Sequence, residues 1–234
     1  MANWHFASRT KRTSPAAPCH TVNALGNERT EDHFDLCEFW LLVPSPMLYG
    51  AGMAHEELLA QYARVAEGFT NVLNTIPADK WSASSPCEGW TVRDVAAHAI
   101  GAQNRWARGA EATNLADDAD PVAEWANVLA AVNDKVATPG ALDAMTEGPM
   151  GPMPAVQMLG MFMLTDLLTH SWDIAKGAGI PVTLDAEVVA QATARLLPMD
   201  AMIRRPGAFG PKVEAPEGAD AQTALMAFLG RQVV

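Results

Sequence analysis

Asp166-Leu167-Leu168-Thr169-His170-Ser171-Trp172-Asp173 lies in a long apolar run that opens at Pro154 and continues to about Lys176, where Gly177, Gly179 and Pro181 give a stop signal. At 100° per residue, Leu159, Phe162 and Met163 share a face with Asp166 and His170, while Met161, Leu164, Leu168 and Trp172 take the opposite face. A helix apolar all round is a buried helix. An ionised Asp166 placed there alone costs several kcal/mol, so it has to be paired, protonated or bound to a cation. Four residues of helix rise about 6 Å, and i,i+4 side chains share a face, so Asp166 and His170 can converge on one point. An intrahelical ion pair meets that demand. So does a cation held by both, with His98, about seventy residues upstream, as third ligand.

Working outward, the chain reads as helix after helix. Leu58, Tyr62, Val65, Phe69, Val72 and Ile76 recur at three- and four-residue steps, and Pro77 closes that segment. Thr91, three residues before Asp94, predicts a capping box, and the stripe Val95, Ala99, Ala102 and Trp106 follows it, with His98 on the second turn. Asp120-Pro121 predicts the start of a third helix carrying Trp125, Val128, Leu129 and Val132. Leu142 to Pro154, with Gly148-Pro149 and Gly151-Pro152, predicts an irregular or β-like connection. Asp185 caps a further helix through Leu197, and a turn-rich stretch, Arg204 to Gly218, precedes a last short helix around Leu225, Met226, Phe228 and Leu229. The fold class is all-α.

Residues 1–52 sustain no helical period and carry Pro15, Pro18, Pro44 and Pro46, which predicts a loosely ordered extension ahead of a helical domain over 53–234. Their His5, His20, His33, Cys19 and Cys37 are spaced too irregularly to be assigned a role.

Composition narrows the partners. A formal charge of −11 over 234 residues argues against nucleic acid and anionic membrane, leaving a small-molecule substrate. Three cysteines without C-x-x-C spacing predict neither a disulfide scaffold nor a thiolate zinc site. With no export signal or spanning segment legible, the expected location is the cytoplasm. Cys87 reads as a small buried structural thiol.

Two blocks carry a resemblance. Ser85-Pro86-Cys87-Glu88-Gly89-Trp90-Thr91-Val92-Arg93-Asp94, continuing to His98, resembles the P-C-x-x-W-x-V-R-D-x-x-x-H segment of the mycothiol-dependent maleylpyruvate isomerase-like, DinB-like metal-binding family. Asp166 to Asp173 is similar to its D-L-L-x-H-x-W-D segment, and Phe209-Gly210-Pro211 with Leu225 to Arg231 resembles its C-terminal pattern. The resemblance implies a DinB-like four-helix bundle with additional C-terminal helices, holding a divalent metal on His98, Asp166 and His170. The isomerase branch has Glu-x-x-x-His in the second block, so Asp166 is one methylene short of that pattern. Arg93 and Asp173, one from each block and opposite in charge, are expected to pair and to hold the two ligand helices together.

Two imidazoles and one carboxylate leave a zinc-like ion an open position, the mark of a catalytic site, and the same donors suit Fe, Ni or Mn. Zinc is the first expectation. The chemistry expected is that of a thiol-dependent S-transferase or isomerase: a low-molecular-weight thiol, acidified by the metal, attacks a small electrophile. Arg105, two turns beyond His98, could steer an anionic thiol or substrate, though a solvated surface arginine fits that position too. The alternative class is a non-catalytic, metal-stabilised binding or regulatory module.

Overall fold

The computed structural model describes residues 55–109, 111–113, 115–149, 151–204 and 209–233; the extension expected at 1–52 lies outside them. Helix α1 (His55–Thr75) buries Leu58, Tyr62, Val65, Phe69, Val72 and Leu73 along one stripe. Helix α2 (Val92–Arg108) starts at the expected capping box: Asp94 N–H donates to Thr91 Oγ1 at 3.2 Å, and Thr91 N–H donates to Asp94 Oδ2 at 2.8 Å. Helix α3 (Pro121–Ala137) is capped by Asp120, whose Oδ1 accepts from Val122 N–H. These caps satisfy backbone donors that a helix start otherwise leaves orphaned.

The Gly- and Pro-rich connection folds as an antiparallel pair, β1 (Met145–Gly148) and β2 (Gly151–Pro154). The chain then enters α4 (Ala155–Met158), a π-helical turn over Leu159–Met163, and α5 (Leu164–Ala178). The π turn is a departure from the single regular helix expected from Pro154 onward. Each residue advances less than 100° there, so the face assigned to Leu159, Phe162 and Met163 relative to Asp166 does not carry through it. Gln103 of α2 donates from Nε2 to the Met163 carbonyl at 3.0 Å, and the buried Tyr62 hydroxyl donates to Gln103 Oε1 at 2.9 Å. The widened turn is therefore tied to both α1 and α2 just ahead of Asp166.

Helix α5 ends within the expected stop signal, two residues beyond Lys176. Gly177 lies within it, and the left-handed cap is Gly179, at φ +71°. Gly177 has a packing reason: a Cβ there would meet Val92 Cγ2 at 2.8 Å and the backbone of Ser84 and Ser85 at 3.1 Å. The loop leading into α2 thus rests directly on α5. Helices α1 and α2 each pack against both α3 and α5, which closes a four-helix bundle. Beyond it come α6 (Ala186–Leu196), α7 (Asp200–Ile203) and α8 (Ala221–Phe228), with α6 packed on α8 and tied to α1 through Arg64, which pairs with Asp185 and Glu187 at 2.7 Å. The fold is all-α and DinB-like, with additional C-terminal helices and one short β connection, as the sequence leads one to expect.

Candidate metal centre

Packing α2 on α5 brings together the two blocks that the sequence keeps far apart. His98 Nε2 lies 3.5 Å from Asp166 Oδ1, and His170 Nε2 lies 3.4 Å from the same oxygen. The two imidazole rings meet edge to face, with centroids 5.0 Å apart. Trp90, held by the turn in which its N–H donates to the Cys87 carbonyl and its own carbonyl accepts from Ser85, also lies against His98, with ring centroids 5.0 Å apart. Gly89, at φ +78°, lets that turn form.

These three donors fit a divalent ion. Tetrahedral zinc with bonds of about 2.0–2.2 Å sets neighbouring ligand atoms about 3.3–3.5 Å apart, close to the two nitrogen-to-oxygen separations found here. Asp166 Oδ2 is buried without a hydrogen-bond partner among the described residues, as a carboxylate oxygen next to a cation position would be. Burial alone would raise the Asp166 carboxyl, but His170 and His98 outweigh it and hold it well below the usual carboxylate range. His170 moves the other way: burial would lower it, yet Asp166, with hydrogen bonds to Asp166, Asp173 and Cys87, raises it well above the ordinary histidine value.

Behind His170 stands a second acid. Asp173 is fully buried, and its Oδ2 lies 2.9 Å from His170 Nδ1. Its partner is not Arg93. Arg93 sits at the start of α2 and spends its guanidinium on the loop carbonyls of Ala116 and Ala119. Asp173 instead receives Arg231, with Nε donating to Oδ1 at 3.1 Å and Nη2 to Oδ2 at 2.8 Å. The expected Arg93–Asp173 pair is thus replaced by one that ties α5 to the end of the chain. Burial would raise Asp173, but Arg231 and His170 hold it well below the carboxylate range.

Cys87 reads from the sequence as a small buried structural thiol. It is partly exposed, and its thiol lies 3.3 Å from Asp173 Oδ2. Cys87, His170 and Asp173 make a second group with metal-capable atoms, but Asp173 already accepts from Arg231, His170 and Cys87 across both oxygens. The set of His98, Asp166 and His170 is the one with an oxygen to spare. Arg105 lies half-buried on α2; burial lowers it, while the charge of Asp166 acts against that. Two cavities, of about 260 and about 440 Å³, lie away from these residues, one beside Arg64 and Asp185 and one between α1 and α3; no candidate ligand lines either. Among the described residues, no helix is long and apolar enough to cross a membrane.

Fold and site together define a DinB-like helical bundle with a metal-capable His-Asp-His cluster. Residues 62–141 match the family described as mycothiol maleylpyruvate isomerase N-terminal domain. The uncharacterized proteins Rv0738 of Mycobacterium tuberculosis strain H37Rv and MT0763 of strain CDC 1551 are each 32% identical over 181 residues, which cover 75% of this chain and 98% of theirs. No solved structure matches. The chain belongs to the mycothiol maleylpyruvate isomerase N-terminal domain family. The matched segment carries His98 and ends ahead of Asp166 and His170.

Proposed function

We propose that the chain is a metal-dependent, thiol-using enzyme, an S-transferase or isomerase of the mycothiol type acting on a small electrophile, with His98, Asp166 and His170 as the ligands. The observation that carries this reading is the convergence of His98 Nε2 and His170 Nε2 on Asp166 Oδ1, with Oδ2 of the same carboxylate left without a partner among the described residues. Zinc is the ion we take first; the donor set does not select it, and Fe, Ni and Mn suit the same ligands. A divalent ion held by His98, Asp166 and His170 would leave an open position and would acidify a thiol bound there.

The chain's own residues do the rest. Asp173 accepts a hydrogen bond from His170 Nδ1, which leaves Nε2 with its lone pair toward the cluster. Trp90 packs against the His98 ring. Arg105 supplies a positive charge beside Asp166, suited to drawing in a carboxylate-bearing thiol or substrate. The nucleophile comes from the thiol cosubstrate, so no protein side chain has to take part covalently. A small-molecule partner and a cytoplasmic setting go with this reading.

The test is direct. Protein purified without an affinity tag should bind one divalent ion per chain, lost in His98→Ala. With metal, a panel of low-molecular-weight thiols and an electrophilic acceptor, it should form adduct or isomerised product at a metal-dependent rate that His170→Ala abolishes. Stoichiometric metal with no turnover for any thiol would favour the non-catalytic module, and metal content unchanged in His98→Ala would sink the ligand assignment.

A further inference from the structure

We infer that Arg231, in the turn after α8, is a positioning residue for the metal centre: through Asp173 it fixes which nitrogen of His170 carries the proton and so presents Nε2 to the metal. The inference rests on the ligand reading above and adds to it a residue more than sixty positions past His170.

A carboxylate only accepts hydrogen bonds, so the proton in the 2.9 Å contact between Asp173 Oδ2 and His170 belongs to Nδ1. A neutral imidazole then has its one lone pair on Nε2, the atom 3.4 Å from Asp166 Oδ1. This logic holds only while Asp173 stays a fixed anion. Asp173 has no exposure to solvent, and a buried carboxylate without a cation is not sustained. Arg231 is that cation, in a two-point fork that meets both carboxylate oxygens.

Arg231 is itself held rather than merely nearby. Its side chain is only 12% exposed, its Nη1 donates to the Leu229 carbonyl at 2.9 Å, and its guanidinium lies 5.6 Å from the Phe209 ring centroid. Its backbone N–H donates to Met226 O, closing the turn after α8. Gly230 makes that turn at φ +86°, and a Cβ there would meet the Pro211 carbonyl at 2.8 Å. The chain end is thereby locked onto the back of His170. The side-chain hydrogen bonds of Arg231 go to Asp173 and to the Leu229 carbonyl, so it acts on His170 through Asp173.

The full chain and its Arg231→Leu and Arg231→Lys variants provide the test, with two readouts independent of turnover. Long-range ¹H–¹⁵N correlation on the metal-free protein, at a pH high enough for neutral imidazole, should show His170 protonated at Nδ1 in the wild type and a mixed or reversed tautomer in Arg231→Leu. Zinc affinity, measured by competition with a chromophoric chelator, should fall about 10–100-fold in Arg231→Leu and recover in part in Arg231→Lys. A folded Arg231→Leu protein with unchanged zinc affinity and tautomer overturns the inference. If that variant does not fold, the wild-type spectrum still decides: His170 protonated at Nε2 refutes the positioning role, and protonation at Nδ1 together with weakened zinc binding in Arg231→Lys supports it. A wild type that binds no zinc refutes the ligand reading instead, while the tautomer reports on Asp173 separately.

Discussion

Two glycine-to-alanine substitutions in long helices should change stability in opposite directions, because one glycine is a packing surface and the other is not. Gly68 is an exposed position in α1, and a Cβ there meets nothing within 4 Å. Gly68→Ala should therefore gain the ordinary helix preference of alanine, about 0.5–1 kcal/mol. Gly177 in α5 makes the same intrinsic gain, but its Cβ would meet Val92 Cγ2 at 2.8 Å, Ser84 O at 3.1 Å and Ser85 Cα at 3.1 Å. Val92 is fully buried and β-branched, and the other two atoms are backbone, so none can swing aside as the end of a flexible chain would. Overpacking of this kind costs about 1–3 kcal/mol, which leaves Gly177→Ala net destabilised by about 1 kcal/mol. For a domain of this size, that is a fall in Tm of about 2–4 °C, against a small rise for Gly68→Ala. The displaced loop carries Cys87 and Trp90 and leads to His98, so Gly177→Ala should weaken zinc binding while Gly68→Ala leaves it unchanged. Thermal unfolding of the metal-free proteins and chelator competition measure both effects. Equal stabilisation by the two substitutions would refute the argument that the α5–loop contact sets the site.

Three further outcomes follow from the same structure. Gln103→Leu strands the Met163 carbonyl of the π turn and the Tyr62 hydroxyl, and should cost about 1–3 kcal/mol in denaturant unfolding; a neutral result would show that the turn does not depend on that bond. Asp166→Asn removes the only anion among the three proposed ligands and should weaken zinc binding more than tenfold in isothermal titration with little loss of helical content; wild-type affinity would count against the ligand set. The pH dependence has two signs. Asp173, held below the carboxylate range against burial by Arg231 and His170, stabilises the native state above the unfolded value of about 4, and that stability is lost as pH falls through the depressed native value. His170, raised against burial by Asp166 and its hydrogen bonds, contributes stability fully present below about 6.5 and lost as pH rises through its raised native value. Because a metal takes only the neutral imidazole, zinc affinity should begin to fall on acidification already above pH 6.5; affinity constant from pH 9 to pH 6 would contradict this.

What was legible in the sequence was local. The capping box of Thr91 and Asp94 and the Asp120-Pro121 start are written within a few residues, and both form as expected. The shared face of Asp166 and His170 follows from spacing alone, and the distant His98, on a helix of its own, was a candidate third ligand that the two dense blocks, in the order of the family resemblance, strengthened. The misreadings are all contacts across the chain. Gly177 was read only as part of the stop that Gly179 provides, since sequence does not show that Val92 and the Ser84-Ser85 backbone lie against the place a Cβ would take. Charge complementarity offered Arg93 to Asp173, but Arg93 is placed at the capped start of α2 beside the loop after it, while Asp173 faces the chain end. Nothing local marks Arg231 as its partner, nor the π turn, whose stabilising donor comes from another helix.

The shorter carboxylate at position 166 loses its oddity once the distances are known. In the isomerase pattern a glutamate occupies this place, and aspartate reaches about one methylene less far. Yet Asp166 Oδ1 already stands within 3.4–3.5 Å of both Nε2 atoms, close to the edge of a zinc tetrahedron, so no longer side chain is needed to complete the set. Two features bring the imidazoles that close. Gly177 lets the loop before α2 lie on α5, the helix that carries His170, and Asp173, anchored by Arg231, hydrogen-bonds the His170 ring at Nδ1. The packing at 177, through the loop before α2, and the salt bridge at 231, through Asp173, thus bear on the elements that carry the two imidazoles facing Asp166.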